Sequence, residues 1–222
     1  MNRALPVETA YALWAEVYDQ ENPISHLDEL AVKALSPNPQ EWRFLDVGCG
    51  TARRLPQSGP FVVGIDRVAA MLRIGKEKHP DFRLAQGCAT RLPFADACFE
   101  LIWCRLMVGH LPKLDSLYRE LSRVLISGGH LILTDFHPEA TGRGLARKFK
   151  DKDGKVHEVV HYLHTVDEHR EKSKESGLFL EQKLDLAIGP EVYSYFQQQG
   201  REQAYRESAG TRVLLALQFR KA

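Results

Sequence analysis

A chain of 222 residues with 44% hydrophobic and 27% charged side chains has ordinary globular values, far from the low-hydrophobicity, high-charge balance of disordered segments. Thirty Lys+Arg against 29 Asp+Glu leave a formal charge of +1, so no overall field exists to neutralise many phosphates or to hold an anionic membrane. Nucleic acid is therefore disfavoured as a partner. No run approaches the ~18 consecutive apolar residues of a membrane span. Met1 to Val17 lacks the charged flank, apolar run and cleavage site of a signal peptide, and the expected location is the cytoplasm. The four cysteines, Cys49, Cys88, Cys98 and Cys104, form no C-x-x-C pair and read as reduced thiols rather than a disulfide framework or a zinc site.

In chain order, residues 7–35 read as two helical pieces broken near Asn22-Pro23, with Leu13 and Val17, then Leu27, Leu30, Ala31 and Ala34, at helical spacing. Short β-rich apolar runs follow at Trp42 to Val47, Phe61 to Ile65, Phe82 to Ala85 and Phe99 to Trp103. Residues 113–125 predict an amphipathic helix ending at a Ser127-Gly128-Gly129 turn, which leads into a fifth strand, His130 to Asp135. This alternation predicts an α/β fold with a doubly wound, mostly parallel sheet and right-handed crossovers.

After Asp135 the pattern changes. Residues 138–164 hold a turn signal, Asp151-Lys152-Asp153-Gly154, between two extended stretches, which predicts an inserted hairpin. Thr165-Val166-Asp167-Glu168 has the spacing of a capping box, with Gly177 placed to end the helix it opens. Two late strands, Leu178 to Ile188 and Thr211 to Arg220, would complete seven strands as an antiparallel pair around a helical piece at 191–208. A single domain results: a helical cap (1–40), a core (41–137), the inserted hairpin (138–164) and the C-terminal half of the sheet (165–222). The basic stretch Arg143, Arg147, Lys148, Lys150 and Lys152 is interrupted by Asp151 and Asp153, and reads as a solvated ribbon.

The chemistry-bearing segment is Asp46-Val47-Gly48-Cys49-Gly50-Thr51-Ala52, an acid at a strand end followed by a glycine turn. Glycine suits a backbone that passes close beneath a ligand. The Asp46 carboxylate could meet the ammonium of an amino-acid moiety. Asp66, 18 residues after Gly48 and ending the next strand, stands where a doubly wound fold puts the acid that accepts ribose hydroxyls.

Five segments in order now resemble the class I S-adenosylmethionine (SAM)-dependent methyltransferases of type 11, the group with ubiquinone-biosynthesis and malonyl-carrier-protein methyltransferases. They are Tyr11 to Asp19, Leu45 to Thr51, Val63 to Asp66, Ala89 to Phe94 with Phe99 to Ile102, and Arg123 to Gly129. The resemblance implies a Rossmann-like seven-stranded fold, SAM as cofactor with S-adenosylhomocysteine (SAH) as product, and methyl transfer to a small-molecule acceptor. It implies further that Asp46, Gly48, Cys49, Gly50 and Thr51 line the methionine end and that Asp66 binds the ribose. Arg67, Met71, Gly87, Cys88 and Ala89 would border the adenine, Cys104 and Arg105 would lie beside the sulfonium, and Tyr18 would close the pocket. Cys88 departs from the family's aspartate, and Ala52 from a common third glycine. The short segment from Gly50 to Phe61, which holds Pro56, has room for only a turn or two of helix.

Displacement at a sulfonium needs in-line approach and exclusion of water more than a covalent nucleophile. A base would help a hydroxyl or amine acceptor. Ligands of open α/β sheets bind beyond the carboxyl ends of the strands, where His110 and His137 lie, so these are the candidate catalytic residues. His157, His161 and His164 mimic a helical ligand ladder, but strand alternation splits them between two faces, and no metal is expected. A nucleotide-dependent oxidoreductase would need its third glycine where Arg53 stands. A nucleic-acid methyltransferase would carry an Asn/Asp-Pro-Pro-aromatic tetrad in place of Cys104-Arg105-Leu106-Met107. A SAM-binding sensor without catalysis is the remaining alternative.

Overall fold

The chain enters its core through two helices, α1 (Val7–Trp14) and α2 (Pro23–Leu35), in a computed structural model that describes residues 4–222. Asn22 starts α2 because its side chain accepts the N–H groups of Ile24 and Ser25 at 3.0 Å each, while Pro23 fills a position whose N–H would go unpaired. Then come β1 (Arg43–Val47), β2 (Phe61–Asp66), α3 (Ala69–Lys78), β3 (Leu84–Gln86), β4 (Phe99–Arg105), α4 (Asp115–Val124) and β5 (Leu125–Phe136). A short helix α5 (Pro138–Gly142) precedes an antiparallel hairpin of β6 (Lys148–Lys150) and β7 (Val156–Glu158). Last are α6 (Val166–Glu175), β8 (Leu178–Ala187), α7 (Tyr193–Gln197), α8 (Glu202–Ser208) and β9 (Arg212–Lys221).

Seven strands form one sheet in the order β3-β2-β1-β4-β5-β9-β8, with β9 antiparallel to both of its neighbours. Alternation along each strand sorts the core into two layers. Leu45, Val47, Ile102 and Cys104 pack with Leu117, Tyr118 and Leu121 of α4, whereas Phe44, Leu101 and Trp103 pack with Leu27, Ala31 and Leu35 of α2. Parallel register sets Val47 beside both Ile65 and Cys104, so the carboxyl ends of β1, β2 and β4 finish together. No helix among the described residues is long and apolar enough to cross a membrane.

Four local expectations need correction. The crossover from Gly50 to Phe61 contains turns and no helix; Pro56 lacks an N–H, and buried Ala52 and Leu55 fill the space a helix would cover. Strand β5 starts at Leu125, which pairs with Phe99 before the register shifts to Leu101↔His130. Ser127-Gly128-Gly129 is thus a bulge inside the strand, permitted by Gly128 at φ +74°. Only half of the capping box forms: Thr165 accepts the Glu168 N–H at 3.1 Å, but the Glu168 carboxylate meets His164 Nδ1 at 3.2 Å instead of turning back.

The hairpin is tied to the start of the chain. Leu5 N–H donates to Glu158 O at 2.7 Å and Leu5 O accepts from Val160 N–H at 2.9 Å, while Trp14 stacks on Phe149 at 4.8 Å. These contacts roof the carboxyl ends of the central strands.

Candidate active site

The turn after β1 is braced from β2. Asp66 Oδ2 accepts the Gly50 N–H at 2.9 Å and Oδ1 accepts the Val68 N–H at 2.8 Å, while Gly48 and Cys49 donate to Ile65 O at 2.8 and 3.1 Å. Gly48 and Gly50 have φ of +77° and +57°, the left-handed region that disfavours side chains. A Cβ on Gly48 would lie 2.7 Å from Met107 Cγ, and one on Gly50 would lie 3.3 Å from the Tyr18 ring. The bare backbone therefore forms the floor of a cavity.

Two adjoining cavities share this floor. The first, about 670 Å³ including its open mouth, is bordered by Gly48, Gly50, Asp66, Arg67, Gly87, Cys88 and Ala89, with Tyr11, Tyr18 and His110 above. The second, about 940 Å³ on the same measure, continues past Tyr18 and Arg105 toward Asp46, Cys49, Phe136 and Arg147. Leu106, at φ +50°, lines both and is held by Thr134, whose Oγ1 and O accept its N–H at 3.1 and 3.0 Å. That strained residue stands at the junction of the cavities, where stored strain is common in functional sites.

Asp46 is 3% exposed, and burial pushes its carboxyl up to about 7 even though the Arg105 guanidinium pulls it down; Asp28 and Asp66 add to the rise. Burial also raises the Asp66 carboxyl, opposed by the N–H groups of Val68 and Gly50. Two carboxylates at neighbouring strand tips are thus each poorly solvated and turned toward one cavity system. Such a pair suits a ligand that brings a cation to one and hydroxyl donors to the other.

Not every predicted residue joins the site. Thr51 is fully buried, its hydroxyl donates to Asp19, and it lines neither cavity. Cys104 is also absent from both walls: strand alternation turns it into the α4 layer and leaves the next residue, Arg105, for the cavities. Met71 lies under the floor, its Cε 3.1 Å from where a Gly50 Cβ would be. Cys88 Sγ sits 3.1 Å from Thr90 Oγ1, and Arg67 pairs with Glu8 at the rim.

The two histidines part company. His110 lines the first cavity, with Nε2 2.9 Å from the Tyr11 hydroxyl and Nδ1 3.3 Å from Val160 O. Burial, with Arg147 nearby, lowers its pKa to about 2, so the ring stays neutral and both nitrogens are engaged. It positions Tyr11 rather than offering a free lone pair. His137 lies outside both linings: Nδ1 accepts the Glu139 N–H at 3.1 Å as the N-cap of α5, and Nε2 faces Asp185 at 3.4 Å. His157 pairs with Asp151 at 2.7 Å, and His164 with Leu111 O at 2.8 Å, so each ring has a structural partner.

Residues 45–133, which carry the glycine turn and both acidic strand tips, match the family described as "Methyltransferase domain". This segment is similar to the class I methyltransferases, type 11. A demethylmenaquinone methyltransferase from Streptomyces avermitilis is 35% identical over 134 residues, covering 56% of this chain and 58% of that protein. A malonyl-[acyl-carrier protein] O-methyltransferase from Pectobacterium atrosepticum is 30% identical over 126 residues, covering 55% and 50%. The chain thus matches about half the length of these curated relatives. The crystal structure of an S-adenosylmethionine dependent methyltransferase from Mesorhizobium loti superimposes with a TM-score of 0.65 at 18% identity, over 86% of this chain and 96% of that one, which establishes the fold.

Several wall residues carry no site signal in the motifs: Met107, Leu106, Tyr11, Asp28 and, above all, Arg147. Arg147 was expected in a solvated ribbon, yet it is 8% exposed and lines the second cavity. A period-two signal is present, since buried Arg147 and Phe149 alternate with exposed Lys148 and Lys150.

Proposed function

We propose that this chain is a methyltransferase that binds SAM across the two cavities and transfers its methyl group to a small-molecule acceptor in the second. The observation that carries the reading is the pair Asp46 and Asp66 on adjacent strand tips, with Gly48 and Gly50 between them and two cavities above that share the walls of Tyr18, Gly48, Arg105 and Leu106. The residues fit the cofactor. Asp66 would take the ribose hydroxyls, Asp46 the ammonium directly or through water, and the rim of Gly87, Cys88 and Ala89 the adenine. Bound SAM would supply a methyl group on a positively charged sulfur.

The chain contributes positioning and exclusion of water. Tyr11 and Tyr18 border the first cavity, and Trp14, backed by its stack on Phe149, borders the second with Arg147. Orientation of this kind can supply roughly 7–11 kcal/mol of a barrier. With His110 neutral and doubly bonded and His137 capping α5, transfer rests on alignment and not on a histidine base.

Calorimetry with SAH across pH tests the reading. Because the Asp46 carboxyl lies near 7 in the folded chain, a cofactor ammonium requires it to release a proton below that pH. Affinity should therefore fall about tenfold between pH 8 and pH 6, with proton release on binding at the lower pH. No SAH binding at any pH would refute the assignment. His137→Ala is expected to cost about 1 kcal/mol in thermal melts, as loss of an N-cap, while SAH affinity stays unchanged. A matched loss of cofactor affinity would return His137 to the site.

A further inference from the structure

The wall of the second cavity carries more cations than carboxylates: Arg53, Arg54, Arg105, Arg147 and Lys148 against Asp28 and Asp46. Most of that charge is matched locally. Arg105 holds Asp28 at 2.6 Å and Glu29 at 2.9 Å, while Arg53 and Arg54 share Glu21. Asp46 faces the cofactor's ammonium under the function proposed above. Among the described residues, Arg147 and Lys148 form no ion pair.

Lys148 is exposed, and water solvates it. Arg147 is different: its residue is 92% removed from solvent, and its Nη1 is buried with no hydrogen-bond partner. Nη2 donates to the Tyr11 hydroxyl at 2.7 Å, and Cζ lies 5.0 Å from the Phe136 ring centre and 5.9 Å from that of Tyr11. Two aromatic faces and a phenol orient the guanidinium without neutralising it. A buried charge left unpaired is costly, and a planar fork with a free N–H is shaped for an oxyanion.

We infer that Arg147 anchors an oxyanion, a carboxylate or phosphate, on an otherwise apolar methyl acceptor, with Lys148 attracting it at the cavity mouth. Trp14, Ile24, Leu106 and Phe136 supply the apolar walls for the body of that acceptor. The inference rests on the proposed methyl transfer for the word acceptor, but the anion site itself does not need the cofactor. The other oxyanion that could reach Arg147 is the carboxylate of SAM. Against that source, Arg147 sits on the hairpin side and borders only the second cavity, whereas Arg105 borders both, as Gly48 of the glycine turn does, and has its own unpartnered Nη1.

The test uses calorimetry and thermal melts of the full chain with acetate, benzoate, phenyl phosphate and the neutral twin benzamide, each with and without SAH. Wild-type protein, Arg147→Gln, Arg147→Lys and Lys148→Gln are compared. Wild type is expected to bind benzoate or phenyl phosphate saturably and to ignore benzamide. Arg147→Gln should lose at least tenfold in anion affinity, Arg147→Lys several-fold, and Lys148→Gln about twofold, with SAH affinity unchanged in all. Should Arg147→Gln not fold, Arg147→Lys keeps the charge while removing the fork, and its anion affinity decides. Equal binding of benzoate and benzamide, no anion binding by wild type, or full anion affinity in Arg147→Lys and Arg147→Gln would overturn the inference. A tenfold loss of SAH affinity in Arg147→Gln would also overturn it, because the guanidinium would then serve the cofactor. Failure of wild type to bind SAH would sink the methyltransferase reading alone, since the anion titration without SAH still reports on Arg147.

Discussion

Asp66→Ala is expected to weaken SAH binding about a hundredfold in calorimetry. A carboxylate accepting ribose hydroxyls contributes about 1.5–3 kcal/mol through charge-assisted bonds, worth roughly ten- to a hundredfold in affinity. The same side chain also clamps the Gly50 and Val68 N–H groups, so its removal frees the floor on which the ligand rests. Asp66→Asn keeps an acceptor oxygen and loses the charge, and should fall near tenfold. Wild-type affinity in Asp66→Ala would mean that the ligand lies elsewhere.

Arg105→Met is expected to destabilise the fold by about 3–5 kcal/mol, because it strands Asp28 in the α2 layer without a counter-charge. The pair is well made: Arg105 Nε and Nη2 donate to Asp28 Oδ2 at 2.9 and 2.6 Å, and Thr134 Oγ1 donates to Oδ1 at 2.6 Å. Chemical denaturation measures the loss, and melting should drop by about 10 °C in a chain of this size. The double variant Arg105→Met with Asp28→Leu should recover most of the stability, since no charge is then left alone. If Arg105→Met melts like wild type, water reaches Asp28 and the pair has no structural weight.

The parts of this site that could be read from the chain are those in which one residue type answers one physical demand. Asp46 and Asp66 each stand within the last two positions of a strand before a loop, and Gly48 and Gly50 meet the demand for positive φ. What could not be read depended on which way a side chain turns. Cys104 and Arg105 are neighbours at a strand tip, and only the packing of α4 against one face and α2 against the other decides that the thiol is core and the guanidinium is wall. His137 was placed by its position after β5, which is correct, but an imidazole there can cap a helix as readily as face a ligand. Arg147 was hidden by its neighbours' charges. Counting cations along the chain averages over the pleat, whereas burial alternates with it.

The strand order also decides when the molecule can be finished. β8 touches the sheet only through β9, which follows it in the chain and inserts between it and β5. During vectorial synthesis, β1 to β5 and the acidic strand tips can pair before Leu178–Ala187 has a strand to pair with. Until Arg212–Lys221 leaves the ribosome, the nascent sheet shows β5 as an open edge, and β8 waits as an orphan ribbon.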